Sequence, residues 1–182
     1  MAEKWKIRLL PFFSLFILFL LDGIISAYFG SQLSMGQAEI FPRLLFIGLY
    51  YFTFRLPVKH IMYLSLFLGF LMDSYYTGIL GIYMASFTIV IYFTTLFKSR
   101  TDLNVLTIGY FGIFMYFVFE SLVYLFYSWI GYHSIGIGRF LLFYLSPSLL
   151  FNSVWYLLLY PVLNKILDYC GAKPLEILFT TE

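Results

Sequence analysis

Three acids stand inside long apolar runs of this sequence: Asp22, Asp73 and Glu120. A carboxylate within a bilayer is expensive, so each of them asks for a reason to be there. Counted from the expected cytoplasmic starts of their helices, all three fall beyond the midplane, toward the outside. Two readings follow. In one, they form a polar centre in the outer half that holds a cation or an arginine from a partner. In the other, each caps a helix end or pairs locally, for instance with Arg43 or Arg139. Intramembrane acids usually satisfy a neighbour or one another, which favours the second reading. Asn152 is placed to hydrogen-bond across to a neighbouring helix. It follows Pro147, which is flanked by Ser146 and Ser148 and should bend its helix by removing a backbone bond.

Asp73 belongs to the most patterned stretch of the chain, Gly69-Phe-Leu-Met-Asp73 followed by Gly78-Ile-Leu-Gly81. Gly69 and Asp73 share a helix face, so a close helix contact would sit beside the carboxylate. Gly78 and Gly81 permit a tight turn and a close-packed start to the next helix. Gly81 with Ala85, and Gly23 with Ala27, form small-xxx-small pairs, for which internal packing is the simplest role.

Catalysis finds little support in the side chains. His60 and His133 are expected on opposite sides of the membrane, so they cannot share a metal. Neither a serine nor the single cysteine, Cys170, has a histidine at matching depth to serve as base. Asp22 and Asp73 could mimic an aspartyl intramembrane protease, but that class carries Gly-x-Gly-Asp, and Gly69-Phe-Leu-Met-Asp73 departs from it. No metal-binding H-E-x-x-H and no phosphate-cradling glycine loop is present. No catalytic residue, metal site or cofactor is expected.

The elements that must position these groups follow from composition. Of 182 residues, 62% are hydrophobic and 11% charged, where soluble domains carry about a quarter charged. The mean hydropathy is +0.90. A soluble fold of this length could not hide so much apolar surface. One cysteine excludes a disulfide scaffold. A net charge of +2 with scattered basic residues argues against nucleic acid. An all-α integral membrane protein remains, because the runs lack the alternation of a membrane β-barrel.

Six runs qualify as transmembrane helices of a single membrane domain (1–182): 9–29, 42–54, 61–75, 79–97, 103–130 and 140–163. The second is the weakest. Eleven uncharged residues separate Arg43 from Arg55, ~16 Å of helix at the α-helical rise. It crosses if both arginines snorkel or if the helix begins upstream of Pro42. Charge decides. With six crossings and both termini inside, nine basic residues (Lys4, Lys6, Arg8, Arg55, Lys59, Lys98, Arg100, Lys165 and Lys173) lie inside, against Arg43 and Arg139 outside. Losing the second crossing inverts this bias, against the positive-inside rule. The first run is longer than a signal-peptide core and no A-x-A-like site follows Asp22-Gly23, so it reads as a retained helix. Aromatic residues make up 24% of the chain, and Trp5, Tyr75, Tyr76, Trp129 and Tyr132 fall where interfacial belts form.

Six helices in a chain of this length, with Gly69-x-x-x-Asp73-x-x-x-x-Gly78-x-x-Gly81 across the third and fourth, resemble the MreD family of rod shape-determining membrane proteins. The basic start and aromatic-rich first helix fit Gram-positive members. The resemblance implies a multi-pass protein of the bacterial plasma membrane, non-enzymatic, that binds MreC. Through MreC it would meet RodA, a penicillin-binding transpeptidase and MreB in the elongation complex that makes lateral peptidoglycan. It implies a fold similar to the substrate-binding component of energy-coupling-factor vitamin transporters, lipid as surroundings, and no small-molecule substrate. Gly69, Asp73, Gly78 and Gly81 are the family-type positions, and with Ala85 they form the candidate partner-binding or structural motif. Asp22, Glu120 and Asn152 remain intramembrane polar candidates without a family assignment. The alternative is the vitamin-transporter subunit itself, with an outward-facing ligand cavity lined by the outer-half acids and Trp129. Such subunits often carry Ala-x-x-x-Ala for docking, and no two alanines here are four apart.

Overall fold

The computed structural model of the protein describes residues 2–98, 105–132 and 135–172. His133, Lys173, Arg100 and the expected helix start at Leu103 lie outside the described residues. The chain forms α1 (Ala2–Leu33), a two-stranded hairpin of β1 (Ser34–Met35) and β2 (Ala38–Glu39), α2 (Leu44–Thr53), α3 (Val58–Met72), α4 (Ile82–Lys98) and α5 (Val105–Trp129). The short α6 (Ile137–Arg139) leads through a π-helical segment into α7 (Ser146–Tyr169). The β strands pair antiparallel, with Ser34 opposite Glu39.

Among the described residues three helices are long and apolar enough to cross a membrane: Leu9–Leu33, Thr107–Trp129 and Ile137–Tyr169. Their outward faces carry large apolar side chains, such as Phe13, Phe114, Leu150 and Leu157, that are more than half exposed. Exposed apolar area on this scale marks a surface made for something other than water. Lipid is the solvent that suits it.

Helix α2 is built differently. All ten of its residues are buried. Apolar on almost every side and wholly covered by protein, it gives no surface to lipid, as expected of a helix at the centre of a bundle. Phe46 stacks on Phe119 of α5 with ring centroids 4.7 Å apart, and Phe119 stacks on Phe87 of α4 at 4.9 Å. The Tyr50 hydroxyl donates to the Ile108 carbonyl at 2.7 Å. In lipid, such packing and hydrogen bonding replace the hydrophobic effect as the force between helices. At ten residues the helix is ~15 Å long. The expectation that it runs from Pro42 is corrected: Arg43 is the N-cap, with non-helical backbone (φ −139°, ψ 49°), and the helix starts at Leu44.

The sixth run also differs from expectation. Pro147 lacks the N–H that the preceding turn needs. The chain meets this with a π-helical segment, Phe140–Leu145, just before the proline, and the Ser146 hydroxyl donates to the Leu141 carbonyl at 2.8 Å. The helix then continues to Tyr169, past the expected end at Leu163.

Candidate functional site

The first N–H groups of any helix have no partner within it. At the start of α2, buried in protein, water cannot supply one. Side chains do. Leu44 N–H donates to Asp22 Oδ1 at 2.7 Å, and Leu45 N–H to Asp22 Oδ2 at 3.0 Å. Arg43 N–H donates to Asn152 Oδ1 at 2.8 Å, and Phe41 N–H to Ser148 Oγ at 3.0 Å. Asn152 Nδ2 returns a bond to the Phe41 carbonyl at 2.8 Å and another to the Tyr116 hydroxyl at 3.0 Å. The Asp22 carboxylate also lies at the positive end of the helix dipole, which favours its charge.

Arg43 sits at the centre. Its Nε donates to Glu120 Oε1 at 2.7 Å, and the Tyr116 hydroxyl donates to the same oxygen at 3.3 Å. The guanidinium lies 5.1 Å from the Tyr83 ring centre and 5.5 Å from that of Phe41, within cation–π range. The three polar candidates Asp22, Glu120 and Asn152 are therefore brought to one place, around the chain's own arginine.

Asp73 forms a second centre. It is fully buried at the end of α3, where the helix widens into a π turn over Asp73–Thr77. Its carboxylate accepts from Gly81 N–H at 2.8 Å, Tyr83 N–H at 2.8 Å and Met84 N–H at 3.1 Å. It thus caps α4 from the preceding helix, eight to eleven residues upstream. Gly78 (φ 69°) and Gly81 (φ 108°) hold left-handed backbone that lets the chain reverse within this span. Gly69 allows the two helices to touch: a Cβ there would lie 2.5 Å from Met84 Cα. Ala85, half-buried, donates its N–H to the Gly81 carbonyl at 2.9 Å. Gly69 is covered by the hairpin's own fourth helix, so it lines no outward groove. In α1, Gly23 makes room for the Tyr76 ring.

At the far end of α2 the charges are reversed. Arg55, 6% exposed, donates to Asn164 Oδ1 at 2.8 Å, Asp168 Oδ1 at 2.6 Å and the Ala172 carbonyl at 2.8 Å. Lys98 Nζ donates to the Thr53 carbonyl at 3.1 Å. Cations here complement the negative end of the helix dipole. Neither of the two conditions set for α2 to cross is met. The helix does not begin upstream of Pro42, and Arg43 and Arg55 do not snorkel but turn inward to acids and amides on α5 and α7. Any crossing by α2 therefore rests on the helices that enclose it.

Above Arg43 opens a cavity of about 550 Å³, bounded by α1, the β2–α2 connection, the ends of α3 and α5, and the π segment before α7. Asp22 and Glu120 line it, whereas Asp73 does not. Trp129 is 86% exposed and also takes no part. Among the described residues no three acids, histidines or cysteines form a group that could hold a metal ion.

Sequence reasoning missed Ser148 and Tyr116 as members of the Arg43 centre, and Asp168 and Asn164 as partners of Arg55. The signal was there in part. Arg43, at the edge of a run too short to cross by itself, requires an acceptor of matching depth, and Glu120 was an acid left to supply it.

A family model described as MreD, rod shape-determining protein MreD, matches residues 6–170. The chain belongs to the MreD family. The match spans every helix from α1 to α7 and includes the Gly69, Asp73, Gly78 and Gly81 positions. No curated protein and no solved structure matches the chain. Membership places this MreD-family chain among membrane proteins of rod shape determination, in the context of peptidoglycan synthesis by the elongation machinery.

Proposed function

We propose that this chain is a non-enzymatic scaffold of the cell-elongation complex in the bacterial plasma membrane, where it binds an MreC-type partner. Through that partner it is linked to RodA, the transpeptidase and MreB. The observation that carries this reading is the family match over residues 6–170. The geometry agrees with it: the carboxylates of Asp22, Asp73 and Glu120 all serve to hold helices together. The proposed topology has six crossings with both termini inside. Lys6, Arg55 and Lys98 support it, since they lie toward the end of the bundle where α7 finishes, Lys6 being 5.0 Å from the Tyr169 ring centre. Clustered cations at one end are what the positive-inside rule asks for. The likeness to vitamin-transporter components rests on the family resemblance, and the match to MreD gives the transporter reading no support.

Gly69, Asp73, Gly78, Gly81 and Ala85 act in this proposal from within. They fix the α3–α4 hairpin so that its outer face, with Tyr63, Phe67 and Phe93 exposed, presents one shape to a partner's single helix. Packing, rather than hydrophobicity, drives such association in lipid. The test is co-purification of the full chain with its MreC-type partner. Asp73→Leu is expected to lose the partner while the chain itself is retained, and unchanged recovery of both intact proteins would sink the role given to the hairpin.

A further inference from the structure

The cavity above Arg43 is not used by the scaffold role, and its walls have a definite chemistry. Its volume, about 550 Å³, lies within the range of small-molecule sites, roughly 300–1,000 Å³. Tyr76, Tyr127, Tyr132, Phe140 and Tyr144 furnish aromatic walls. Three acids line it, Asp22, Glu39 and Glu120, against the one cation Arg43. The acids are not equivalent. Both oxygens of Asp22 are taken by backbone N–H groups of α2, and Glu39 is exposed on the hairpin at the rim. Glu120 is 6% exposed and its Oε1 is held by Arg43 and Tyr116. Its Oε2 accepts no hydrogen bond from the described residues and is not among the side-chain atoms shut off from solvent, so it stands open to the cavity as a free acceptor.

We propose that this cavity binds a small organic cation with an aromatic or apolar body. The ammonium donates to Glu120 Oε2, and the body lies between the tyrosine and phenylalanine walls. The three-to-one excess of acids disfavours an anion, and a body without a donor would leave that open carboxylate oxygen unused. Aromatic faces attract a desolvated cation through the negative potential of their π systems. This site is independent of partner binding, so its failure leaves the scaffold reading as it stands.

The test uses the purified full chain in lipid nanodiscs and equilibrium dialysis against three probes of one shape: tryptamine, its neutral analogue tryptophol, and the anion indole-3-acetate. Saturable binding of tryptamine, tighter than either analogue by about tenfold or more, is the expected result, one factor of ten corresponding to ~1.4 kcal/mol. Ser26→Trp fills the cavity from the exposed edge of α1 and should abolish tryptamine binding. Glu120→Gln keeps a polar group beside Arg43 and should weaken tryptamine by about tenfold while leaving tryptophol unchanged. Equal binding of all three probes, preference for the anion, no saturable binding of any, or full tryptamine binding by folded Ser26→Trp would each overturn the proposal. Because Ser26 is exposed on α1 and its side chain bonds to none of the described residues, the last variant separates loss of the site from loss of the fold.

Discussion

At its amino end α2 is met by carboxylates that are almost wholly buried, and at its carboxyl end by Arg55, whose acid partner reaches the surface. Asp22 is 4% and Glu120 6% exposed, whereas the Asp168 side chain that binds Arg55 is 59% exposed. The helix dipole sets the signs at both ends. Burial sets the stakes. An ion pair shut away from solvent is lost at full cost when one member goes, while a partly solvated one is replaced by water or lipid headgroups. The amino end should therefore be brittle and the carboxyl end forgiving.

The sharpest way to break this comparison is Glu120→Leu, which leaves Arg43 buried and uncompensated. It should cost about 3–5 kcal/mol, read as a shift in denaturant unfolding of the full chain in mixed micelles. The double variant Arg43→Met with Glu120→Leu should recover most of that loss, because no lone charge remains. If the single variant unfolds no more easily than the wild type, the amino end is not the brittle one. Next in size is Asp22→Ala, which orphans two amides of α2 and should cost about 2–4 kcal/mol by the same measurement. Asn152→Leu follows, at about 1–3 kcal/mol, since it strips one buried amide of its acceptor and one carbonyl of its donor. Smallest is Asp168→Ala, expected within about 1 kcal/mol of the wild type. A loss there as large as that of Glu120→Leu would show that the two ends are equivalent after all.

Much of this was legible in the residues, and the part that was not has a physical cause. Continuous apolar runs broken by charge and glycine mark helices, and the chain is helical along those runs, although α1 continues past the expected break at Gly30 to Leu33. Gly69, Asp73, Gly78 and Gly81 announced a tight hairpin because their contacts are local: Asp73 reaches amides eight to eleven residues away. The inward turn of Arg43 and Arg55 could not be read so directly. Their acids lie 77 and 113 residues further along, and a short apolar run flanked by arginines looks the same whether lipid or protein surrounds it. The π-helical turn at Phe140 left no mark in the hydrophobic pattern, since one extra residue in a turn of Phe-Leu-Leu-Phe-Tyr-Leu changes no contrast between faces.

The dependence of α2 on distant side chains has a consequence for how the polypeptide comes into being. Asp22 is made before α2 emerges from the ribosome, but Glu120, Ser148 and Asn152 come long after it. Until α5 and α7 have been synthesised, Arg43 and the free amides beside it have no companions, and hydrocarbon would offer them none. The segment that ends up most deeply enclosed must then be among the last to settle. A nascent chain halted before residue 120 should leave it within reach of aqueous reagents.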